Sequence, residues 1–137
     1  MEKETPVKID SEGLEVRLMS KGPFKAGSSI MIMMTVSNPT TAQRTFCRYH
    51  TPFEGIKNNI FLVHASMRDI KYGGMMAKRA PPGKYDFITL APRESCTSTV
   101  DLSQGYDLPP GEYAVSYRAT DISGLPMSGP VSVSMTN

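Results

Sequence analysis

Leu108-Pro109-Pro110-Gly111-Glu112-Tyr113-Ala114-Val115-Ser116-Tyr117-Arg118 is the stretch that decides the fold. A Pro-Pro-Gly turn opens it. From Glu112 onward the alternation sends Tyr113, Val115 and Tyr117 to one face of an extended chain, the pattern of a half-buried strand. Working outward, residues 14–18, 29–37, 44–49, 60–64, 68–72, 87–90, 96–102 and 131–135 read as strands or strand fragments. Between them stand turn clusters: Lys21-Gly22-Pro23, Asn38-Pro39-Thr40-Thr41, Ala91-Pro92-Arg93-Glu94 and Ser128-Gly129-Pro130. Residues 29–37 are Met-rich and apolar on both faces, so they are expected to form a central strand covered on both sides or one whose outer face makes contacts. No stretch has the period of an amphipathic helix of three turns, and no internal repeat occurs. The sum is roughly eight strands at regular spacing, which predicts an all-β, two-sheet sandwich.

The 137 residues fit one domain, expected to span residues 14–137 after a flexible N-terminal segment of residues 1–13. Hydrophobic residues make up 39%, enough for a single core, and the eleven Gly and eleven Pro are dispersed as punctuation rather than gathered in a tract. The net charge of +2 is too balanced to point to nucleic acid or an anionic membrane. No segment is apolar for long enough to span a bilayer as a helix. The start Met1-Glu2-Lys3-Glu4-Thr5 lacks the apolar run of a signal peptide. The expected location is cytoplasmic if Met1 is the native start, and secreted if a leader has been removed. Cys47 and Cys96 are too few for a disulfide framework and match no zinc spacing. Two buried thiols, or one bridge between strands, are both compatible with them.

Hydrolytic chemistry needs a nucleophile with its base, paired carboxylates or a metal. His50 and His64 belong to no His-Glu-x-x-His helix, and neither a Gly-x-Ser-x-Gly elbow nor a phosphate-binding Gly-rich loop is present. Each histidine reads as a structural group, His50 as one that fixes the loop after it. No cofactor is expected. The ten methionines raise copper, because thioethers suit Cu(I). Met31, Met33 and Met34 interleave with Ile30 and Ile32, however, and core filling is the expectation for them. Met75 and Met76 stand beside a basic loop and could form an adaptable contact surface. Lys71, Lys78, Arg79, Lys84 and Arg93 lie in one stretch, as a solvated rim or as a positive edge for an acidic partner surface.

A longer order of motifs adds to this. Tyr49-His50-Thr51-Pro52-Phe53-Glu54-Gly55 is followed by Ile60-Phe61-Leu62-Val63, Tyr72-Gly73-Gly74 and Lys78-Arg79-Ala80-Pro81-Pro82. Leu90-Ala91-Pro92, then Val100-Asp101-Leu102-Ser103-Gln104-Gly105-Tyr106-Asp107-Leu108, and Gly111-Glu112-Tyr113 complete it. This order resembles the N-terminal domain that precedes the catalytic domain in deuterolysin-type (aspzincin) zinc metalloproteases, over residues 14–118. The resemblance implies an immunoglobulin-like antiparallel β-sandwich of about seven or eight strands. It also implies a propeptide role, shielding a zinc cleft and assisting the folding of the protease. The family's catalytic domain and zinc motif are absent from this sequence, so the chain is expected to be an excised prodomain or a free-standing relative.

The expectation is therefore a non-catalytic module that binds a protein partner, a zinc metalloprotease under the resemblance. The candidate contact residues are His50, Thr51, Pro52, Phe53 and Glu54 in one loop and Lys78, Arg79, Pro81, Pro82 and Lys84 in the other. Lys78 or Lys84 would imitate a substrate lysine, and Pro81 and Pro82 would stiffen the loop and lower its ordering cost. The competing expectation is a free-standing interaction or self-associating sandwich. Small-ligand or sugar binding ranks lower, since there is no Trp to serve as a platform.

Overall fold

The computed structural model describes residues 7–137. Among them are ten strands: β1 (Glu15–Ser20), β2 (Phe24–Lys25), β3 (Met31–Ser37), β4 (Arg44–Cys47), β5 (Phe61–Ala65), β6 (Arg68–Asp69), β7 (Phe87–Leu90), β8 (Ser95–Asp101), β9 (Gly111–Tyr117) and β10 (Val131–Thr136). Three short 3-10 turns are the remaining regular structure. The strands form a three-stranded sheet, β1-β3-β8, a five-stranded sheet, β2-β10-β9-β5-β6, and a two-stranded ribbon, β4-β7. This is an all-β sandwich. Eight strands have four residues or more; β2 and β6 have two each. One pairing departs from the expected antiparallel plan: β2 runs parallel to β10. The chain crosses from one sheet to the other between β1 and β2, so β2 reaches its neighbour in the same direction as β10.

Alternation decides which side chains meet between the layers. From β3 come Ile32, Met34 and Val36, and from β9 come Tyr113, Val115 and Tyr117; all are buried in one core with Phe46, Phe61, Leu102, Tyr106 and Val133. The expectation that Met31, Met33 and Met34 all fill the core is corrected here. Met34 is buried, whereas Met31 is exposed and Met33 half-buried, because a period of two places odd and even residues on opposite faces. β3 is the central strand of its sheet, but it is covered on one face only.

Buried polar groups fix the ends of the strands. The Asn38 amide donates to the carbonyls of Leu90 (3.1 Å), Ala91 (3.1 Å) and Ala42 (2.8 Å), tying the end of β3 to the end of β7. The Tyr113 hydroxyl donates to the Pro109 carbonyl at 2.6 Å, closing the turn that leads into β9. The Tyr106 hydroxyl accepts from the Phe61 N–H at 3.0 Å and lies 3.2 Å from the Phe61 carbonyl. Asn59 satisfies both of its neighbours with its amide nitrogen 2.6 Å from Tyr106 and its oxygen accepting from Arg118 at 2.8 Å. Gly105 lies under the Tyr72 ring. A Cβ there would come within 2.5 Å of that ring and 3.1 Å of Ile56.

Residues 1–6 of the expected N-terminal segment lie outside the described residues. Its second half is bonded to the sandwich. Asp10 exchanges backbone hydrogen bonds of 2.9 Å with Thr45 on β4, and its carboxylate pairs with Arg44 at 2.9 Å.

Candidate functional site

β4 ends at Cys47, and the chain turns sharply through Arg48, Tyr49 and His50. His50 takes φ 61°, in the left-handed region that costs a side-chain-bearing residue about 1 kcal/mol. Local bonds hold it there. The His50 N–H donates to a Glu54 carboxylate oxygen at 2.9 Å, and its carbonyl accepts from the Tyr117 hydroxyl at 2.6 Å. Residues Pro52–Glu54 form a 3-10 turn. Thr51 caps it, accepting from the Phe53 N–H at 3.1 Å while its hydroxyl donates to the Arg48 carbonyl at 2.6 Å. Pro52 sets the first φ of the turn, and Gly55 leaves it at φ 83°. Phe53 packs on Phe46, ring centroids 5.6 Å apart, and Ser98 on β8 donates to the Pro52 carbonyl at 3.0 Å. Thr51, Pro52 and Glu54 are buried. Their polar groups are spent on the shape of the corner, and Glu54 has 1% of its side chain exposed.

That corner grips the second expected segment. The Arg79 guanidinium pairs with the Glu54 carboxylate and lies over the Tyr49 ring, 4.9 Å from its centroid. Arg48 is 5.9 Å from the same centroid and donates twice to Asp86, at 2.7 and 3.0 Å. Asp86 also accepts from the Tyr49 hydroxyl at 3.1 Å and from the Gly83 N–H at 3.0 Å. These bonds, the Gly83 amide first and then the Arg48 guanidinium, hold the Asp86 carboxyl below the ordinary carboxylate range. The hydrogen bond to Asp86 raises Arg48 in turn, and desolvation, then the Asp86 bond, raises the Tyr49 phenol. At the start of the loop, the Ala77 N–H donates to the Lys57 carbonyl at 2.8 Å.

The two expected segments are therefore brought together, with different tasks. His50, Thr51, Pro52, Phe53 and Glu54 form the support, and Arg79 is the bolt between the segments. Lys78, Pro81, Pro82 and Lys84 face solvent. Sequence reasoning missed Tyr85, which is 85% exposed and lies 5.1 Å from the Lys84 ammonium. It also missed Arg48 and Asp86, which clamp the far end of the loop. An Arg following a strand and an Asp preceding one carry no signal of pairing 38 positions apart.

Among the described residues no group of three or more His, Cys, Asp or Glu side chains is placed to hold a metal ion. His64 pairs through Nδ1 with Asp69, its neighbour across β5 and β6, where both side chains are exposed. Cys47 and Cys96 are free thiols, Cys47 in the core and Cys96 half-buried. No helix among the described residues is long and apolar enough to cross a membrane. No protein-family model matches the chain, and no curated protein matches it.

Proposed function

We propose that this chain is a non-catalytic protein-binding domain that docks through the loop of residues 78–85, and that its partner is a zinc metalloprotease inhibited in the manner of a propeptide. One observation carries the docking element: the loop is exposed at its tip and bolted at its base, by Arg79 to Glu54 and Tyr49 and by Asp86 to Arg48. A loop already fixed in one shape loses little freedom on binding, and that is where affinity is gained. Arg79 is held by Glu54, and the basic residues Lys78 and Lys84 flank Pro81 and Pro82 on the exposed stretch. A cationic, proline-stiffened tip suits entry into an acidic cleft. The partner class rests on the resemblance between the motifs at residues 49–55, 78–82 and 100–108 and those of aspzincin prodomains.

The same reading takes the sandwich as immunoglobulin-like. Three features support it: the order β1-β3-β8 against β10-β9-β5, the short β2 running parallel to β10, and the Tyr113 hydroxyl bonded back to Pro109 at the start of β9.

The experiment is the titration of a purified aspzincin-type zinc protease with this domain, read with a small peptide substrate. Stoichiometric inhibition by the native chain is expected, with loss of inhibition in the Lys78→Ala/Lys84→Ala double variant. Arg79 is left intact, because its removal would collapse the loop and confound the result. Absence of inhibition at high micromolar concentration overturns the protease reading. Undiminished inhibition by the double variant removes the loop tip from the mechanism.

A further inference from the structure

The outer face of the β1-β3-β8 sheet is polar for most of its length. Glu15, Arg17, Thr35, Thr97 and Ser95 line one end and middle, with hydrogen bonds of 3.0 Å between Thr35 and Thr97 and between Ser95 and Ser37. At the other end this pattern breaks. Met19, Met31 and Met33 come together there and line a cavity of about 220 Å³ with Phe24, Lys21 and Thr99. Met19 is 49% and Met31 44% exposed. Three large thioethers on the solvent side of strands otherwise built of Ser, Thr and charged residues need a physical account, because neither the core nor β propensity selects them.

The register places them closely. Met19 and Met33 are direct cross-strand partners. Met31 lies two residues from Met33 on the same face, which makes it the diagonal neighbour of Met19, at about 7–8 Å between backbones. Methionine has three rotatable bonds, so sulfurs from such neighbouring positions can converge on one point. Phe24 closes one wall. Of the nearby oxygen groups, Thr99 lines the cavity and one Asp101 oxygen is already engaged. Asp101 is the cross-strand partner of Met31, and its Oδ1 is committed to the N–H groups of Ile30 (2.9 Å) and Ser103 (3.0 Å) and to the Ser103 hydroxyl (2.7 Å). The Lys21 ammonium, on its flexible stem, can turn to water.

We infer that Met19, Met31 and Met33 form a soft-metal site that binds one Cu(I) ion through three neutral thioethers, with Phe24 as its wall. Thioether donors select Cu(I) over divalent ions, which prefer nitrogen or oxygen ligands. The site is independent of the docking loop and of the protease reading.

The test uses the full chain with isotope-labelled methionine methyl groups, followed by NMR during titration with Ag(I), a redox-inert stand-in, and then with Cu(I) kept reduced. Of the ten methionine methyl signals, those of Met19, Met31 and Met33 are expected to shift together and saturate at a single equivalent. Zn(II) is expected to leave them unmoved. The Met19→Leu/Met31→Leu/Met33→Leu variant, which keeps volume and apolarity at outward-facing positions, is expected to fold and lose the saturable response. The inference is overturned if silver moves the exposed Met67, Met75 and Met76 as readily as the trio. Capture by Cys47 or Cys96 with the three methyl signals unmoved overturns it equally.

Discussion

Arg79 and Glu54 are 25 positions apart and form an ion pair in which the carboxylate is 1% and the guanidinium 27% exposed. Replacing Arg79 leaves a buried charge without its partner. Arg79→Ala is expected to cost about 3 kcal/mol, the low end for a broken buried pair given the partial exposure of Arg79, and to lower Tm by about 10 °C. Glu54→Gln keeps the bond to the His50 N–H and is expected to cost less. Lys78→Ala and Lys84→Ala remove surface groups and are expected to stay within about 0.5 kcal/mol of the parent. Thermal unfolding of the four variants checks the order. A cost for Arg79→Ala no larger than that for Lys78→Ala would dismiss the bolt.

Burial pushes the phenols of Tyr106 and Tyr117 up to about 12. In the unfolded chain a phenol titrates near its ordinary value of about 10. As pH rises, the unfolded state therefore loses these protons first. The stabilisation tied to the neutral phenols is complete below about pH 10 and is lost as pH approaches about 12, on the order of 2–3 kcal/mol for each tyrosine. Denaturant midpoints should fall across that window. Tyr106→Phe and Tyr117→Phe should each be less stable at neutral pH, by about 1–2 kcal/mol for the lost hydrogen bonds, and each should flatten the alkaline decline. Parallel alkaline curves for parent and variants would rule the two phenols out as its source.

Gly105→Ala forces the Tyr72 ring, 2.5 Å from the added methyl, to move. Tyr72 also packs against Tyr106, with centroids 5.3 Å apart, so the strain reaches the core. The expected loss is about 1–3 kcal/mol, as for other overpacked sites. Tyr72→Leu in the same chain should recover part of it. A double variant no more stable than Gly105→Ala would locate the strain elsewhere.

Desolvation, with the nearby Glu94 charge adding to it, raises the Cys96 thiol to about 11, and burial raises Cys47 as well. Thiolate is the reactive form. At neutral pH both thiols should react with an alkylating reagent far more slowly than in the denaturant-unfolded chain. Mass spectrometry of the labelled protein gives the two rates, and rapid labelling of native Cys47 would contradict its place in the core.

Alternation in residues 14–18, 96–102 and 112–118 was enough to read β1, β8 and β9, because a strand with one buried face writes its period directly into the chain, whereas β3 was read from the β-branched, Met-rich content of residues 29–37. β2 escaped that reading, since two residues hold no period, and of the expected fragment 68–72 only Arg68–Asp69 is strand, as β6. The parallel pairing of β2 with β10 depends on where the preceding turn delivers the chain, which no local pattern records. At the site, the two loops were legible from their Pro, Gly and Lys content. The division of labour between them was not. Glu54 and Arg79 look as exposed as any charged residues until the corner at His50 turns the carboxylate inward. The outward Met trio was hidden for a related reason. Residues 30–34 are apolar at every position, so composition alone could not say which of them face out.

The edges of the five-stranded sheet are β2 and β6, each two residues long. A foreign strand pairing with β2 or β6 itself would find backbone partners for barely one pleat. The longer borders of the opposite sheet run through Glu15 and Arg17 on β1 and through the Ser and Thr ladder of β8, where incoming apolar strands would meet charge and hydroxyls. Short edge strands, charges and hydroxyls at these borders all discourage edge-to-edge growth of a sheet.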